Sequence, residues 1–297
     1  MTTGAAHGYR DSVTTSEVRT VVGAARGEAE RAARVAGVRV VALTMPQEVR
    51  RVLPVVETVW GPDVAPSPDI LRALAHAGAV LLAAEDADDP DRVVGFALGF
   101  LGWADGVHLH SHQVGVRPDR QHGGVGYALK LAQRATCLEH GVTEMRWTYD
   151  PLLARNAAFN FGKLGVVARA FLPDFYGQMT DAINASDASD RFEVSWRLDR
   201  AIRPRWDDGT AGRALVAVDG GAPHRTDAPV RAGARMALPR DYHTLRTSGD
   251  PLAAAWREVA RTVLADCYAA GLTAVAFGPH GYRFARKEVA DTEGADR

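Results

Sequence analysis

The sequence predicts an α/β (α+β) chain in which strands and helices interleave, followed by a smaller α+β segment. Three observations carry this. Short apolar runs of strand length alternate with stretches of helical periodicity over residues 38–198. Asp105-Gly106 sits between two such runs and marks a hairpin. Residues 114–130 pass from an apolar strand end through Pro118 into Gly123, Gly124 and Gly126, and then into an amphipathic helix.

Residues 1–37 are rich in Ala, Gly, Thr, Arg and Glu, and 16–36 have the composition of a polar helix. They read as an N-terminal extension, partly disordered or docked on the surface. Residues 38–44 form a first strand. Pro46 opens a helix to Trp60, with Val49, Val52, Leu53, Val56 and Val59 at helical spacing. Pro62, Pro66 and Pro68 stiffen the loop that follows. A second short helix covers 69–77. Strands follow at 80–84, 93–103 and 108–116, the last two joined by the Asp105-Gly106 turn. The helix at 124–140 is stopped by Gly141. A strand at 144–149, a helix at 154–164 ended by Gly165, and strands at 166–171 and 192–198 complete this part.

Asp207-Asp208-Gly209 marks a boundary turn. Beyond it, 214–218 and 234–238 read as strands and 251–270 as a helix carrying Leu252, Trp256, Val259, Val263 and Tyr268. Residues 272–277 and 282–285 read as a hairpin. The expected organisation is an extension at 1–37, a main domain at 38–202 and a C-terminal segment at 203–297. Covering an acceptor, forming a homodimer and completing the fold are all open to that segment.

Composition narrows the function. A hydrophobic content of 46% supports a sizeable core, and a net charge of −1 gives no global field to recruit nucleic acid. The two cysteines, Cys137 and Cys267, stand alone, so a disulfide framework or thiolate metal site is not expected. No apolar run approaches about 18 residues and no charged-then-apolar leader opens the chain, so a soluble, cytoplasmic protein without membrane contact is expected.

The glycine loop has its own chemistry. Strand end, loop and helix start let backbone N–H groups converge on an anion, with the helix dipole behind them. A dinucleotide fingerprint or a nucleotide P-loop needs other spacings, and neither is present. Gln121-x-x-Gly124-x-Gly126 instead resembles motif A of the GNAT superfamily of acyl-CoA-dependent N-acyltransferases. Arg155-Asn156-Ala157-Ala158-Phe159, followed by Lys163-Leu164-Gly165-Val166, resembles that superfamily's motif B. The element order is also the one that superfamily has. His110-Ser111-His112, Trp147 to Pro151, Phe175-Tyr176-Gly177 and Asp190-Arg191-Phe192 look like a bacterial branch with an appended C-terminal segment.

The resemblance implies a mixed, mostly antiparallel twisted sheet with splayed strands four and five. It implies acetyl-CoA or another acyl-CoA as co-substrate, no metal, and a small-molecule amine as partner. It places the pantetheine arm along Val114, Gly115 and Val116, and the pyrophosphate on Gln121, His122, Gly123, Gly124, Val125, Gly126 and Tyr127. Asn156 and Phe159 would border the arm, and Lys163 would reach a phosphate or remain a solvated residue. Arg155 would bind a carboxylate or pair with Asp150.

His108, His110 and His112 alternate on one strand, so period two puts them on one face. An incoming ammonium group needs a base near pH 7, and histidine fits. His110 or His112 is the expected base, directly or through water; pairing with neighbouring strands is the alternative, and a shared metal ion is disfavoured because no carboxylate or Cys sits beside them. The family's usual tyrosine acid corresponds to Phe161, which has no proton to give, and Tyr176 is the candidate replacement. The activity implied is transfer of an acetyl, succinyl or other acyl group to a primary amine, an amino acid among the candidates. A non-catalytic protein that binds acyl-CoA as a ligand is the alternative.

Overall fold

A computed structural model of the chain describes residues 15–61, 66–177, 187–209 and 212–287. The first fourteen residues of the expected extension, Pro62 of the proline loop and the last ten residues of the C-terminal segment lie outside that range.

Seven strands form the main sheet: β1 (Val38–Ala42), β2 (Val80–Asp86), β3 (Val93–Gly102), β4 (His108–Val116), β5 (Glu144–Tyr149), β6 (Val167–Leu172) and β7 (Arg191–Arg197). Their order is β1-β2-β3-β4-β5-β7-β6. Every neighbouring pair is antiparallel except β4 and β5. Among the described residues that parallel pair has two rungs, Leu109 with Met145 and His110 with Arg146. Beyond His110 the two strands part, and β4 keeps only β3 beside it.

Helices cover both faces. On one side lie α2 (Pro46–Arg50), α3 (Leu53–Trp60) and α4 (Pro68–His76), which bury Val49, Val52, Val55, Val56 and Leu71 against Leu81, Phe96 and Leu98. The single helix expected over 46–60 is two. Pro54 lacks an N–H and its ring crowds the carbonyl four residues back, so the chain restarts as α3. Glu48 caps α2 by accepting from the backbone N–H groups of Thr44 (3.0 Å) and Met45 (2.9 Å).

On the other side lie α1 (Thr15–Val35) and α5 (Val125–Glu139). The residues expected as a polar helix of the extension form α1, which docks on α5. Its buried stripe is Ala25, Ala29, Ala33 and, just past its end, Ala36. A four-residue spacing of alanines is a helical face with little hydrophobic signal, and the small side chains allow close approach. Arg26 with Glu139 (2.6 Å) and Arg134 with Glu28 (2.5 Å) tie the pair at its rim.

After β5 the chain turns into α6 (Ala154–Phe159), whose last stretch, Asn160–Leu164, widens into a π turn before Gly165. The C-terminal segment holds β8 (Val216–Asp219), β9 (Ala222–Arg225), β10 (Arg235–Met236), α7 (Tyr242–Thr247), α8 (Pro251–Ala269), β11 (Leu272–Gly278) and β12 (Gly281–Arg286). β9 and α7 were not legible as elements. The segment docks on β6, where the Tyr268 hydroxyl donates to the Ala168 carbonyl at 2.7 Å and Thr273 donates to the same oxygen. Its Tyr282 hydroxyl donates to Pro151 O at 2.7 Å and lies 3.0 Å from the Tyr149 hydroxyl. One apolar cluster runs from Ala25 of α1 to Phe284 of β12.

The most unusual core residue is Lys130 of α5. It is buried with its amine 2.9 Å from Ser111 Oγ, 3.9 Å from Met145 Sδ and 3.5 Å above the Trp147 ring. Ser111 Oγ in turn donates to Gln133 Oε1 at 2.8 Å. Desolvation holds the Lys130 ammonium well below the usual lysine pKa. The unfolded chain therefore binds the proton more tightly, and this side chain costs more stability as pH falls. Lys130→Met is expected to raise stability by roughly 1–3 kcal/mol, with a larger gain near pH 6 than near pH 9, read by thermal melts across pH.

Candidate active site

The glycine loop joins β4 to α5. Pro118–Arg120 makes one 3₁₀ turn, and Gly124 is the N-cap of α5 at φ +88°, a left-handed conformation that glycine adopts without strain. A Cβ at Gly123, Gly124 or Gly126 would meet nothing nearer than 3.5 Å. At Gly115, inside β4, it would lie 2.6 Å from the Trp60 ring. Packing therefore explains Gly115, whereas the loop glycines serve the backbone and leave the surface above them open. Among the described residues no side chain caps α5, so its first N–H groups are left for an anion.

The loop is held from behind. Arg120 pairs with Asp86 and donates to the carbonyls of Ala36 (3.2 Å) and Gly37 (3.3 Å). Gln121 donates through Nε2 to Val116 O at 3.2 Å and accepts from Arg155 Nη1 at 2.8 Å. Of the two expected roles for Arg155, the pairing with Asp150 is not formed: Arg155 reaches from α6 to the glycine loop.

Asp150 belongs to the C-terminal segment's partners instead. It accepts from Arg246 (3.2 Å) and from both terminal nitrogens of Arg257 (3.1 and 2.7 Å). Arg257 also binds Asp187 at 2.7 Å, and Asp190 accepts from Arg261 at 2.6 Å. Among the described residues, Nε and Nη2 of buried Arg246 have no hydrogen-bond partner. Arg191, buried on β7, stands 5.5 Å from the Tyr176 ring. Sequence reading missed Arg246 and Arg257 because they meet Asp150 from 96 and 107 residues away. It flagged Arg191 without a role.

The strands part just above His110. Val114 and Val116 turn toward the α5 side, and Gly115 turns toward α3. This reverses the simple alternation, because His112 is the extra residue of a bulge: Leu98 pairs with Gln113 and Gly99 with Ser111. His110, His112 and Phe100 gather on the α3 side, with centroids 5.3 Å (Phe100–His110), 5.8 Å (Phe100–His112) and 6.1 Å (His110–His112) apart. His108 is buried over Gly102 and hydrogen-bonds Gly106 O at 3.0 Å, so it is part of the hairpin. Burial, followed by the neighbouring His112, His108 and Lys130, pulls His110 from 6.5 to about 4. Burial also lowers His112.

Tyr176 is 41% exposed, and its hydroxyl lies 3.0 Å from Thr148 Oγ1 on β5. Continuing the β4–β5 register would set Thr148 opposite His112. Tyr176 therefore attaches to the β5 side of the gap and the histidines to the β4 side. Phe161 is fully buried against Tyr282, with centroids 5.7 Å apart. Asn156 and Phe159 are half-buried on α6, and Lys163 is exposed in the π turn. Val125 is buried under Gly95, while His122 takes φ +67° and Tyr127 is half-buried. Among the described residues no three His, Cys, Asp or Glu side chains converge as a metal site, and no helix is long and apolar enough to cross a membrane.

No curated protein sequence matches the chain. Among solved structures, it is similar to the ribosomal-protein-S18-alanine N-acetyltransferase of Escherichia coli (14% identity, 55% of this chain and 96% of that one, TM-score 0.44). It is also similar to Ard1 of Thermoplasma volcanium (19%, 54% and 97%, 0.40). A third is a GNAT superfamily phosphinothricin acetyltransferase of Sinorhizobium meliloti in complex with acetyl-CoA (12%, 54% and 88%, 0.43). Residues 50–165 match the model of the acetyltransferase (GNAT) family. The matched residues, which run from the end of α2 to Gly165 and include the parallel pair β4–β5 opening beside the glycine loop, are a GNAT acetyltransferase domain.

Proposed function

We propose that this protein is an N-acyltransferase that moves an acetyl, succinyl or other acyl group from acyl-CoA to the primary amine of a small molecule. The carrying observation is the parting of β4 from β5 beside the uncapped start of α5. The loop amides suit a pyrophosphate, and the unpaired edge of β4 from Ser111 to Val116 suits the main-chain hydrogen bonds of a pantetheine arm. Gln121, Val125, Gly126 and Tyr127 complete the anion end, and Asn156 and Phe159 border the arm.

In this reading the amine attacks the thioester directly. His112, or His110 through water, takes its proton, and the Tyr176 hydroxyl supplies one to the departing thiolate. Both histidines have lowered pKa values, and His110 at about 4 is neutral from about pH 5 upward, so it is free to accept a proton. The buried Nε/Nη2 edge of Arg246, unpartnered among the described residues, has the bidentate geometry a carboxylate matches, and Arg191 adds charge beside Tyr176. This supports an acceptor that carries a carboxylate next to its amine, as an amino acid does. A second reading, a non-catalytic acyl-CoA binder, is favoured by the buried, hydroxyl-free Phe161.

Thermal shift with acetyl-CoA and succinyl-CoA tests the shared core of both readings: stabilisation should follow RT ln(1 + [L]/Kd). Gly124→Asp is expected to abolish it, since φ +88° strains any side chain and the carboxylate repels the diphosphate. Thiol release with an amine panel then separates enzyme from binder. Joint replacement of His110 and His112 by Ala should lower kcat on the order of 10²-fold while leaving CoA affinity unchanged. Wild-type turnover should fall as pH drops toward 4, where His110 takes up its proton, and should show no alkaline limb from either histidine. Equal turnover in the double variant would remove both from the mechanism.

For the carboxylate, the wild type should prefer an amino acid over its carboxamide by about 10²-fold in kcat/KM. Arg246→Lys, which keeps the charge facing Asp150 but loses the fork, should cut that preference about tenfold. Equal use of acid and amide by the wild type would exclude the assignment.

A further inference from the structure

A second concentration of charge lies at the opposite end of the sheet from the glycine loop. A cavity of about 720 Å³ is bounded by the start of β5, the end of β7, the start of β6, the linker after β7 and the end of β12. Because β4 and β5 run parallel, the start of β5 and the loop that leaves β4 stand at opposite ends of that pair. Seven of the sixteen residues lining the cavity are Arg or Lys, and two are acidic. The chain as a whole carries −1, so this is a local accumulation.

Three of the cations are neutralised in place. Arg146 holds Glu144 at 2.8 Å, Arg169 holds Asp105 at 2.8 Å, and Arg197 holds Asp199 at 3.1 Å. These pairs consume both acidic groups of the lining. The side chains of Arg200 and Lys287 make no hydrogen bond or ion pair among the described residues, and both are exposed at the rim. Arg203 and Arg205 stand in the same wall, with Arg205 Nε donating to Gly165 O at 3.2 Å. Bringing these cations together repels them, and nothing in the lining compensates Arg200 and Lys287. A polyanion would reverse that balance, and guanidinium groups match phosphate oxygens in pairs. The volume suits a ligand of nucleotide size and far exceeds a single inorganic ion.

We infer that this cavity binds a phosphorylated small molecule carrying two or more phosphate groups, at a site separate from the glycine loop. The β6–β7 end of the sheet supplies its floor, and the linker at residues 200–205 with Lys287 of the C-terminal segment supplies the cationic rim. The site stands whether or not the chain transfers acyl groups.

Isothermal titration of the full chain with inorganic tripolyphosphate, at low and moderate salt, tests this. One saturable site beyond any at the glycine loop is expected, weakening with salt. It should survive in Gly124→Asp, which removes anion binding at the loop. It should weaken at least tenfold in Arg200→Glu/Lys287→Glu, whose melting temperature should stay near wild type because neither side chain is bonded. Arg200→Gln/Lys287→Gln, a milder change, should weaken it about threefold and guards against misfolding of the first variant. The inference is overturned by absence of saturable binding, by loss of binding in Gly124→Asp, or by full binding in both double variants. Tighter binding of a single-stranded oligonucleotide than of tripolyphosphate would also overturn it, as the mark of a nucleic-acid surface.

Discussion

The structure depends on how little of β4 is bonded to β5. Two rungs hold the halves of the sheet together, and everything above them is opened backbone. Two features sit where the strands separate. On the α5 side, Lys130, Ser111 and Gln133 place polar groups where a continuous sheet would pack apolar side chains. Within β4, the bulge at His112 interrupts the ladder to β3 and increases local twist. A twisted, bulged strand with a polar group beneath it is poorly suited to carry a parallel neighbour further. The gap is thus a property of the fold, present before any ligand arrives.

The C-terminal segment is part of the same problem. β5 loses its β4 partner after Arg146, and the segment meets the far end of the strand, at Tyr149 and Asp150, with Tyr282, Arg246 and Arg257. Buried ion pairs add little net stability, since desolvation offsets most of the attraction. Their value here is geometric: Asp150 can satisfy its lone pairs in one arrangement of α7 and α8. The segment also seats Tyr282 against the fully buried Phe161.

Much of this was readable in the residues. Local signals held: β4 and β5 span the residues expected of them, 108–116 and 144–149, and Gly124 marks the start of α5 because a left-handed residue is needed there. The glycine loop was legible because its chemistry is confined to a few consecutive residues. Non-local features were not legible. The alanine face of α1 carries too little hydrophobic contrast to announce a docked helix. Asp150 was considered as a partner for Arg155, while its partners in the structure come from α7 and α8. The alternation of His108, His110 and His112 was read correctly as one face, but pairing, not spacing, put His108 into the hairpin and left the other two beside Phe100.

The inserted residue at position 112 has one more consequence. An unbroken strand must present alternate residues to the same layer along its full length, which would couple the side chains near the hairpin to those near the loop. One additional residue resets that parity, so the lower half of β4 addresses the α3 layer with His110 and His112 while the upper half addresses α5 with Val114 and Val116. The two halves become independently variable. Substitutions that retune what is recognised below need not disturb what is gripped above, and removing the extra residue would restore an unbroken ladder to β3 while Val114 and Val116 keep facing α5.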